Sequence, residues 1–397
     1  MQNLAYFICG QAGIVPLAIG KPGVAKTASM LALAKKIGYR LYILTGSIRE
    51  PADIGGYPTL KEIVHDGQTI HYMAIVPPEY VIRAMQEPHI LFIDELTCCH
   101  PGTQSAMLAI AAERRVGDEY LDDRTLIFAA CNPPGTAANG YPLEATMANR
   151  LVHLKWSFPR KAWLQGMRNG LNYPSPVPPI LPDDWKKHIV GTASLIAEFH
   201  ERVPGFLEPE ENDSGDLVLS ITERSGAFPT PRTWDMAARG LAAAKAVTPD
   251  SDSRDDLDSE ILTGCVGYAA AESFFDYIDT LDLPDPNESL FDMIQAQAQG
   301  GDDETLSSVV PDPERADKVR AFLGSVTSAI IVDNSLERWN AAQEIFRQSI
   351  KRHKEVSIVC AGPLYNNKPK GARITQDMVE TVANCIGYVL DTKDLTS

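Results

Sequence analysis

Residues 15–38 read VPLAIGKPGVAKTASMLALAKKIG, and this stretch is the most informative one about the fold. A short apolar run, a glycine-rich turn and a run of helix-forming residues follow one another, which predicts a buried strand, a loop and a helix. The turn, Gly20–Thr27, is close to the pattern G-x-x-x-x-G-K-[ST], in which backbone N–H groups at a helix N-terminus hold phosphate oxygens. The sequence therefore predicts a phosphate-binding loop directly after the first strand.

This loop supplies most of the predicted nucleotide contacts. Lys26 is expected to reach the β- and γ-phosphates of ATP, and Thr27 to bind Mg²⁺ through its hydroxyl. Ala25 departs from the pattern, because glycine is usual there and a methyl group can crowd the phosphate. Taken alone, the segment also fits a chance glycine-rich turn. The predicted contacts are Gly20, Lys21, Pro22, Gly23, Val24, Ala25, Lys26, Thr27 and Ala28.

Four further apolar runs alternate with helical patterns, which predicts an α/β fold with a parallel sheet covered on both faces. One segment breaks the alternation: in residues 59–76, Asp66-Gly67 separates two short runs rich in strand-forming residues, which predicts a β-hairpin. After residue 157 the pattern becomes helical, up to a last helical pattern at 375–390. With 15–20, the predicted strands are 40–45, 89–94, 125–131 and 151–156.

Polar residues follow two of these strands. Asp94 and Glu95 end the apolar run ILFI, as in the Walker B motif; Asp94 is predicted to hold Mg²⁺ through water and Glu95 to polarise the attacking water. Asn132 follows the strand TLIFAAC and can position that water against the γ-phosphate, although a turn-former before Pro133 is an equal interpretation. Two motifs in the right order make coincidence a poor explanation of the loop.

Two arginines complete the set of candidates. Arg150, in MANRLVHL, is placed to stabilise charge on a transferred phosphoryl group, an effect worth ~10³–10⁵ in rate where it acts. Arg232, in PTPRTWD, begins a predicted helix and can reach the nucleotide from there. For each, a solvent-facing surface residue is the plain alternative.

Composition limits the other possibilities. The net charge of −16 disfavours a nucleic-acid partner, because a phosphate backbone is bound by Lys and Arg. The seven cysteines are scattered and predict reduced thiols; Cys98-Cys99-His100 predicts packing or a helix entry rather than a metal site. The N-terminal residues lack the features of a signal peptide, and no apolar run approaches the ~20 residues of a membrane span. We therefore expect a cytoplasmic protein without membrane insertion.

The motifs, taken together, resemble the MoxR branch of the AAA+ ATPases, a helix-2-insert clade that includes the RavA branch. The pieces that carry the resemblance are GKPGVAKT, REPADIGG, DELTCCHPGTQSAMLAIAAERRV, AACNPPG, YPLEATMANRLVHL and PTPRTWD, over roughly residues 15–245. Alanine in place of the third glycine also occurs in related active enzymes, such as the RavA branch and the replicative MCM helicases.

The resemblance implies an AAA+ fold, with a core at 1–157, an all-α lid at 158–248 and an α-helical C-terminal extension at 249–397. It also implies a hexameric ring with ATP between subunits. Asn132 would be sensor 1 and Arg232 sensor 2, while Arg150 would be the arginine finger acting on a neighbour's ATP. Arg114 and Arg115 are second candidates for contact in trans.

The family's hairpin insert faces the ring pore, and its members commonly work with a partner that has a von Willebrand factor A domain. The predicted function is therefore Mg²⁺-dependent ATP hydrolysis by a homo-oligomer that remodels or activates a protein partner, whose client stays unknown. The alternatives are a nucleic-acid-associated motor, and a nucleotide-binding scaffold with little turnover.

Overall fold

The computed structural model describes residues 3–133, 140–173, 179–211, 217–249, 254–310, 315–375 and 378. The helix predicted at 375–390 lies almost wholly outside them. The chain forms two compact units. The first comprises Met1–Asp183 and Phe206–Ala271, and the second comprises Asp184–Gly205 and Glu272–Ser397.

A five-stranded sheet forms the centre of the first unit, in the order β2-β5-β8-β1-β9. Every neighbouring pair is parallel, so the prediction of a parallel five-stranded sheet is confirmed. The strands are β1 (Pro16–Ile19), β2 (Arg40–Thr45), β3 (Tyr57–His65), β4 (Gln68–Val76), β5 (His89–Asp94), β6 (Arg115–Val116), β7 (Glu119–Tyr120), β8 (Leu126–Cys131) and β9 (Val152–Lys155). Because parallel strands end at one edge, the loops after β1, β5 and β8 meet there.

β3 and β4 form the predicted antiparallel hairpin. Asp66 and Gly67 form its turn with φ of 50° and 77°, the left-handed geometry that fits the twist of a two-residue hairpin. Nearly every residue of both strands is exposed, on both faces of the ribbon. A further two-stranded pair, β6 with β7, follows the fifth helix.

Helices cover the sheet and make up the second unit. α1 to α7, α9, α10 and α11 belong to the first unit, α8 and α13 to α17 to the second, and α12 has residues in both. In chain order they are α1 (Leu4–Gln11), α2 (Lys26–Ile37), α3 (Pro51–Gly55), α4 (Glu79–Gln86), α5 (Pro101–Glu113), α6 (Ala145–Ala148), α7 (Arg160–Arg168), α8 (Ile189–Arg202), α9 (Ile221–Arg224), α10 (Pro231–Val247), α11 (Asp255–Val266), α12 (Tyr268–Leu281), α13 (Pro286–Ala298), α14 (Asp303–Ser307), α15 (Ala316–Val332), α16 (Leu336–Arg352) and α17 (Lys354–Asn366).

Each unit has its own apolar core. In the first, buried side chains of the central strands, among them Leu17, Leu91 and Ala129, pack with residues of α5. In the second, Phe322 of α15 and Trp339 of α16 belong to one fully buried cluster. Burial of this kind contributes about 25 cal/mol for each Å² of apolar surface removed from water.

The compact units divide the chain at other points than the boundaries predicted at 157 and 248. Residues 184–205, including α8, pack with the C-terminal helices, whereas 206–271 pack with the sheet. The reason is tertiary: α8 packs along α15, which is more than a hundred residues later in the chain. No helix in the described residues is both long and apolar enough to cross a bilayer.

Candidate nucleotide site

The predicted phosphate-binding loop, Gly20–Thr27, leaves β1 at Gly20 and enters α2 at Lys26. Gly23 and Ala25 both adopt left-handed backbone, with φ of 76° and 66°. For Ala25 this conformation costs about 1–2 kcal/mol, which glycine would avoid. The loop therefore keeps the turn that its motif requires in spite of the alanine, and the surrounding residues must offset that strain.

Lys26 is the second lysine of the loop and the first residue of α2. Its ammonium donates hydrogen bonds to the carbonyl oxygens of Gly20 (2.5 Å) and Lys21 (3.2 Å), and to Oδ1 of Asn132 (3.3 Å). Partial burial lowers the pKa of Lys26, and the negative charge of Asp94 opposes that shift. The structure thus brings together Lys26, Asp94 and Asn132, which were predicted separately in three motifs.

Thr27 and Asp94 form the next contact. Thr27 Oγ1 donates a hydrogen bond to Asp94 Oδ2 at 3.1 Å, which joins the first turn of α2 to the end of β5. A hydroxyl and a carboxylate oxygen are the hard donors that Mg²⁺ takes when phosphate oxygens and water complete its shell. This donor set fits the magnesium ion predicted here.

Glu95 follows Asp94 with left-handed backbone, φ 57°, and its N–H donates to Asp94 Oδ1 at 2.9 Å. Its carboxylate accepts a hydrogen bond from the hydroxyl of Ser47. Ser47 was not identified in the sequence, where it is one serine after the second predicted strand. Its position follows from the sheet order, because β2 and β5 are neighbours and Thr45 pairs with Asp94.

The residues after β5 have local structural roles. Cys99 is buried and its thiol donates to Leu96 O. His100 caps α5, because its Nδ1 accepts from the N–H of Gly102 at 3.1 Å. Burial raises the pKa of the Cys99 thiol to about 11. Cys98-Cys99-His100 thus acts in packing and helix entry, as the sequence suggested.

Arg150 and Arg232 lie together, in a pocket of about 590 Å³ within the first unit. Burial lowers the pKa of Arg150, and the positive charge of Arg232 lowers it further. The only hydrogen bond of the Arg150 guanidinium in the described residues goes to Thr146 O, at 2.5 Å. Neither arginine forms an ion pair within the part of the chain that the structure describes. Glu113 and Asp235 also line this pocket, and the charge of Glu113 opposes the lowering of the Arg150 pKa. Two neighbouring guanidiniums without an ion pair are a candidate site for a further anion.

Residues beside the arginines join the segment that contains Arg150 to the start of α10. Thr230 Oγ1 donates to Oδ1 of buried Asn149 at 3.0 Å, and it caps α10 by accepting from Thr233 N. The amide of Asn149 also donates to Phe228 O. Because Asn149 precedes Arg150 and Thr230 precedes Arg232 by two residues, this contact fixes the arginines side by side. Neither Asn149 nor Thr230 was identified from the sequence.

Arg114 also lines the pocket, but its guanidinium is already engaged. It donates to the carbonyl oxygens of Asp122, Asp123 and Thr125, at 2.6–3.3 Å. Arg115 bonds to Glu113 and to Gly117 O. Both side chains therefore stabilise the segment around β6 and β7, whereas the Arg150 guanidinium makes one hydrogen bond within the described residues.

The arginine pocket and the predicted phosphate-binding loop lie at opposite ends of the strands of the sheet. The pocket is lined by Gly13–Val15, which precede β1, and by Arg150, which precedes β9. The loop follows the other end of β1, whose four residues span about 13 Å. The structure therefore places Arg232 beside Arg150, and the contact of Arg232 with the nucleotide stays a prediction.

Comparison with known proteins gives one family. Residues 17–144 match the family model of the AAA domain, dynein-related subfamily. The matched segment begins in β1, contains the loop, Asp94, Glu95 and Asn132, and ends before Arg150. No curated protein matches the chain. One solved structure, of a candidate ATPase from Cytophaga hutchinsonii, is 17% identical, with 70% of this chain and 87% of that chain covered. Its TM-score of 0.43 is too low to support a conclusion.

Proposed function

We propose that this chain, an AAA+ ATPase with its AAA domain at residues 17–144, hydrolyses ATP with Mg²⁺ at sites shared between identical subunits. The observation that carries the proposal is the separation of the arginines from the loop. Arg150 and Arg232 form no ion pair within the described residues, although Glu113 and Asp235 line the same pocket, and they lie at the end of the strands opposite to the loop. The γ-phosphate bound by the loop of a neighbouring subunit is the anion that completes this pocket.

Within one subunit the loop side supplies binding and the attacking water. Lys26 would exchange its loop carbonyls for phosphate oxygens, and Thr27 with Asp94 would hold Mg²⁺, which neutralises charge on the phosphates. Glu95 would orient the attacking water as general base. Asn132, which accepts a hydrogen bond from Lys26, would position that water against the γ-phosphate. From the neighbour, Arg150 and Arg232 would stabilise the charge of the transition state.

Head-to-tail sites of this kind can close into a ring, because each subunit presents a loop on one side and arginines on the other. A MoxR-type hexamer is the form we propose, on the motifs that resemble that branch. A partner with a von Willebrand factor A domain and a cytoplasmic location belong to the same proposal.

The hairpin of β3 and β4 supports a protein client over a nucleic acid. Both of its faces expose large apolar side chains, and Lys61 is the only Lys or Arg in the two strands. A loop that binds phosphate backbones would carry Lys and Arg. We propose that the hairpin faces the ring pore and that the assembly remodels a protein. Binding to DNA that strengthens at low salt would favour the motor instead.

Mixing two inactive variants tests the shared site. Lys26→Ala removes the ammonium that is proposed to bind the phosphates and keeps both arginines, whereas Arg150→Ala keeps the loop. Each alone should hydrolyse ATP at least about a thousandfold more slowly than the wild type. Subunits mixed and reassembled should regain activity, because an Arg150→Ala loop then meets an intact Arg150. No recovery in mixed rings of confirmed composition would contradict the shared site, and rings that form with ATP without turnover in the wild type would favour the scaffold.

A further inference from the structure

Trp156 lies under the phosphate-binding loop, directly after β9. Its indole N–H donates a hydrogen bond to the carbonyl oxygen of Val24 at 2.9 Å. Its Cβ also lies against Gly20, since a Cβ added to Gly20 would come within 2.8 Å of it. Trp156 therefore contacts the loop at its first residue and again just before Ala25.

The contact at Val24 bears on Ala25 through the geometry of the peptide bond. The Val24 carbonyl and the Ala25 N–H belong to one trans peptide plane and point in opposite directions. With the carbonyl held towards Trp156, the N–H of Ala25 is directed away from Trp156. A peptide flip would reverse the direction of this donor and relieve the left-handed φ of 66°.

Trp156 is itself held rigidly. Its ring packs edge-on against Tyr6 and Phe7 of α1, with ring centroids 5.3 and 6.2 Å apart. The next residue, Ser157, exchanges two hydrogen bonds with the side chain of Asn3, at 2.9 and 3.1 Å. The side chain that meets the loop thus cannot follow a flip of the Val24–Ala25 peptide without disturbing α1.

We propose that Trp156 is a positioning residue, which holds the Val24–Ala25 peptide so that the Ala25 N–H faces the phosphates and the loop tolerates alanine where glycine is usual. The inference rests on the proposed function, because it concerns how the same loop binds ATP. Glycine adopts left-handed backbone without strain, so the contact with Trp156 would matter less if Ala25 were replaced by glycine.

The test uses Trp156→Phe, which keeps an aromatic ring against α1 and removes the indole N–H. Affinity for a fluorescent ATP analogue with Mg²⁺ should fall by about threefold to tenfold, the range expected for one lost hydrogen bond. The KM for ATP should rise by a similar factor while kcat changes by less than about twofold. The matched control is Trp339→Phe, which removes an indole bond to a carbonyl, that of Leu364, in the second unit. It should leave the affinity unchanged.

A second substitution separates positioning from plain packing. Ala25→Gly removes the strain, so Trp156→Phe should lower the affinity much less in the Ala25→Gly background than in the wild-type background. Equal losses in both backgrounds, or unchanged affinity in Trp156→Phe, would overturn the proposal. A wild-type chain that binds no ATP would instead refute the proposed function, so the two failures are distinguishable.

Discussion

The hydroxyl of Ser47 donates a hydrogen bond to the carboxylate of Glu95. Ser47 lies two residues after β2, and Glu95 one residue after β5, at the edge where the phosphate-binding loop also lies. This bond fixes the orientation of the Glu95 carboxylate and engages one of its two oxygens. That oxygen therefore bonds to Ser47 instead of to the water that Glu95 is proposed to orient. Ser47 thus restrains the proposed general base.

Removal of this restraint should speed basal hydrolysis. We expect Ser47→Ala to raise kcat for ATP by about twofold to tenfold, the range of one released hydrogen bond, with little change in KM. Ser47→Thr keeps a hydroxyl and is the control, with kcat near the wild type. Steady-state phosphate release measures both. A lower kcat in Ser47→Ala would mean that Ser47 orients Glu95 for the reaction instead.

The comparison of Ser47 with Glu95 shows which features the sequence could supply. Glu95, Lys26 and the five strands lie in local patterns of apolar residues and turns, which a single chain displays directly. Ser47 contacts Glu95 only because β2 and β5 are neighbours, and no local sequence pattern predicts the order of strands in a sheet. The same reasoning applies to Trp156, which contacts Val24 more than a hundred residues away.

The proximity of Arg150 and Arg232 was also not predictable from local sequence patterns. Arg150 and Arg232 were each found by motif, but their proximity depends on the bond between Asn149 and Thr230, which are 81 residues apart. The hairpin, by contrast, is local: Asp66-Gly67 sets its turn and its register in advance. Sequence reasoning therefore predicted the pieces of the site and the structure supplied their grouping at opposite ends of the strands.

The contact between Thr27 and Asp94 predicts a dependence on magnesium. Thr27→Ala should raise the Mg²⁺ concentration for half-maximal hydrolysis by at least about tenfold, because one oxygen donor is lost. Thr27→Ser retains the hydroxyl and should stay within about threefold of the wild type. Titration of Mg²⁺ at saturating ATP gives the values. An unchanged half-maximal concentration in Thr27→Ala would show that Thr27 is not a ligand of the ion.

A mixture of two arginine variants decides whether Arg232 serves its own ATP or a neighbour's. Arg150→Ala and Arg232→Ala should each lower kcat by about a thousandfold or more if they stabilise the transition state. When both arginines act on a neighbour's ATP, a mixture of these two variants contains no complete interface and should stay inactive. Recovery of ATP hydrolysis in the mixture would instead place Arg232 with the ATP of its own subunit.

That result is interpretable only if the variants share rings. A mixture of Arg150→Ala with Lys26→Ala is the positive control, because it does form complete interfaces under the same shared-site arrangement. Reassembly of differently tagged subunits, followed by sequential capture of both tags, verifies that mixed rings were measured.

In the second unit, Glu198 predicts a dependence of stability on pH. Its side chain is buried on α8, and Arg320 of α15 lies 3.4 Å away. Burial raises the pKa of Glu198 from 4.5 to about 7, against the opposing effect of Arg320. The folded state therefore binds this proton more tightly than the unfolded state does. Its contribution to stability is present below pH 4.5 and is lost as the pH rises through about 7.

Glu198→Gln imitates the protonated side chain and removes this loss. The free energy of unfolding of the variant, relative to the wild type, should therefore increase from pH 5 to about pH 7 and then level off. Urea denaturation followed by tryptophan fluorescence measures the difference at each pH. Glu201→Gln, at the exposed second partner of Arg320, is the control and should show no such rise. A difference that stays constant from pH 5 to 8.5 would show that Glu198 is ionised in the folded protein throughout.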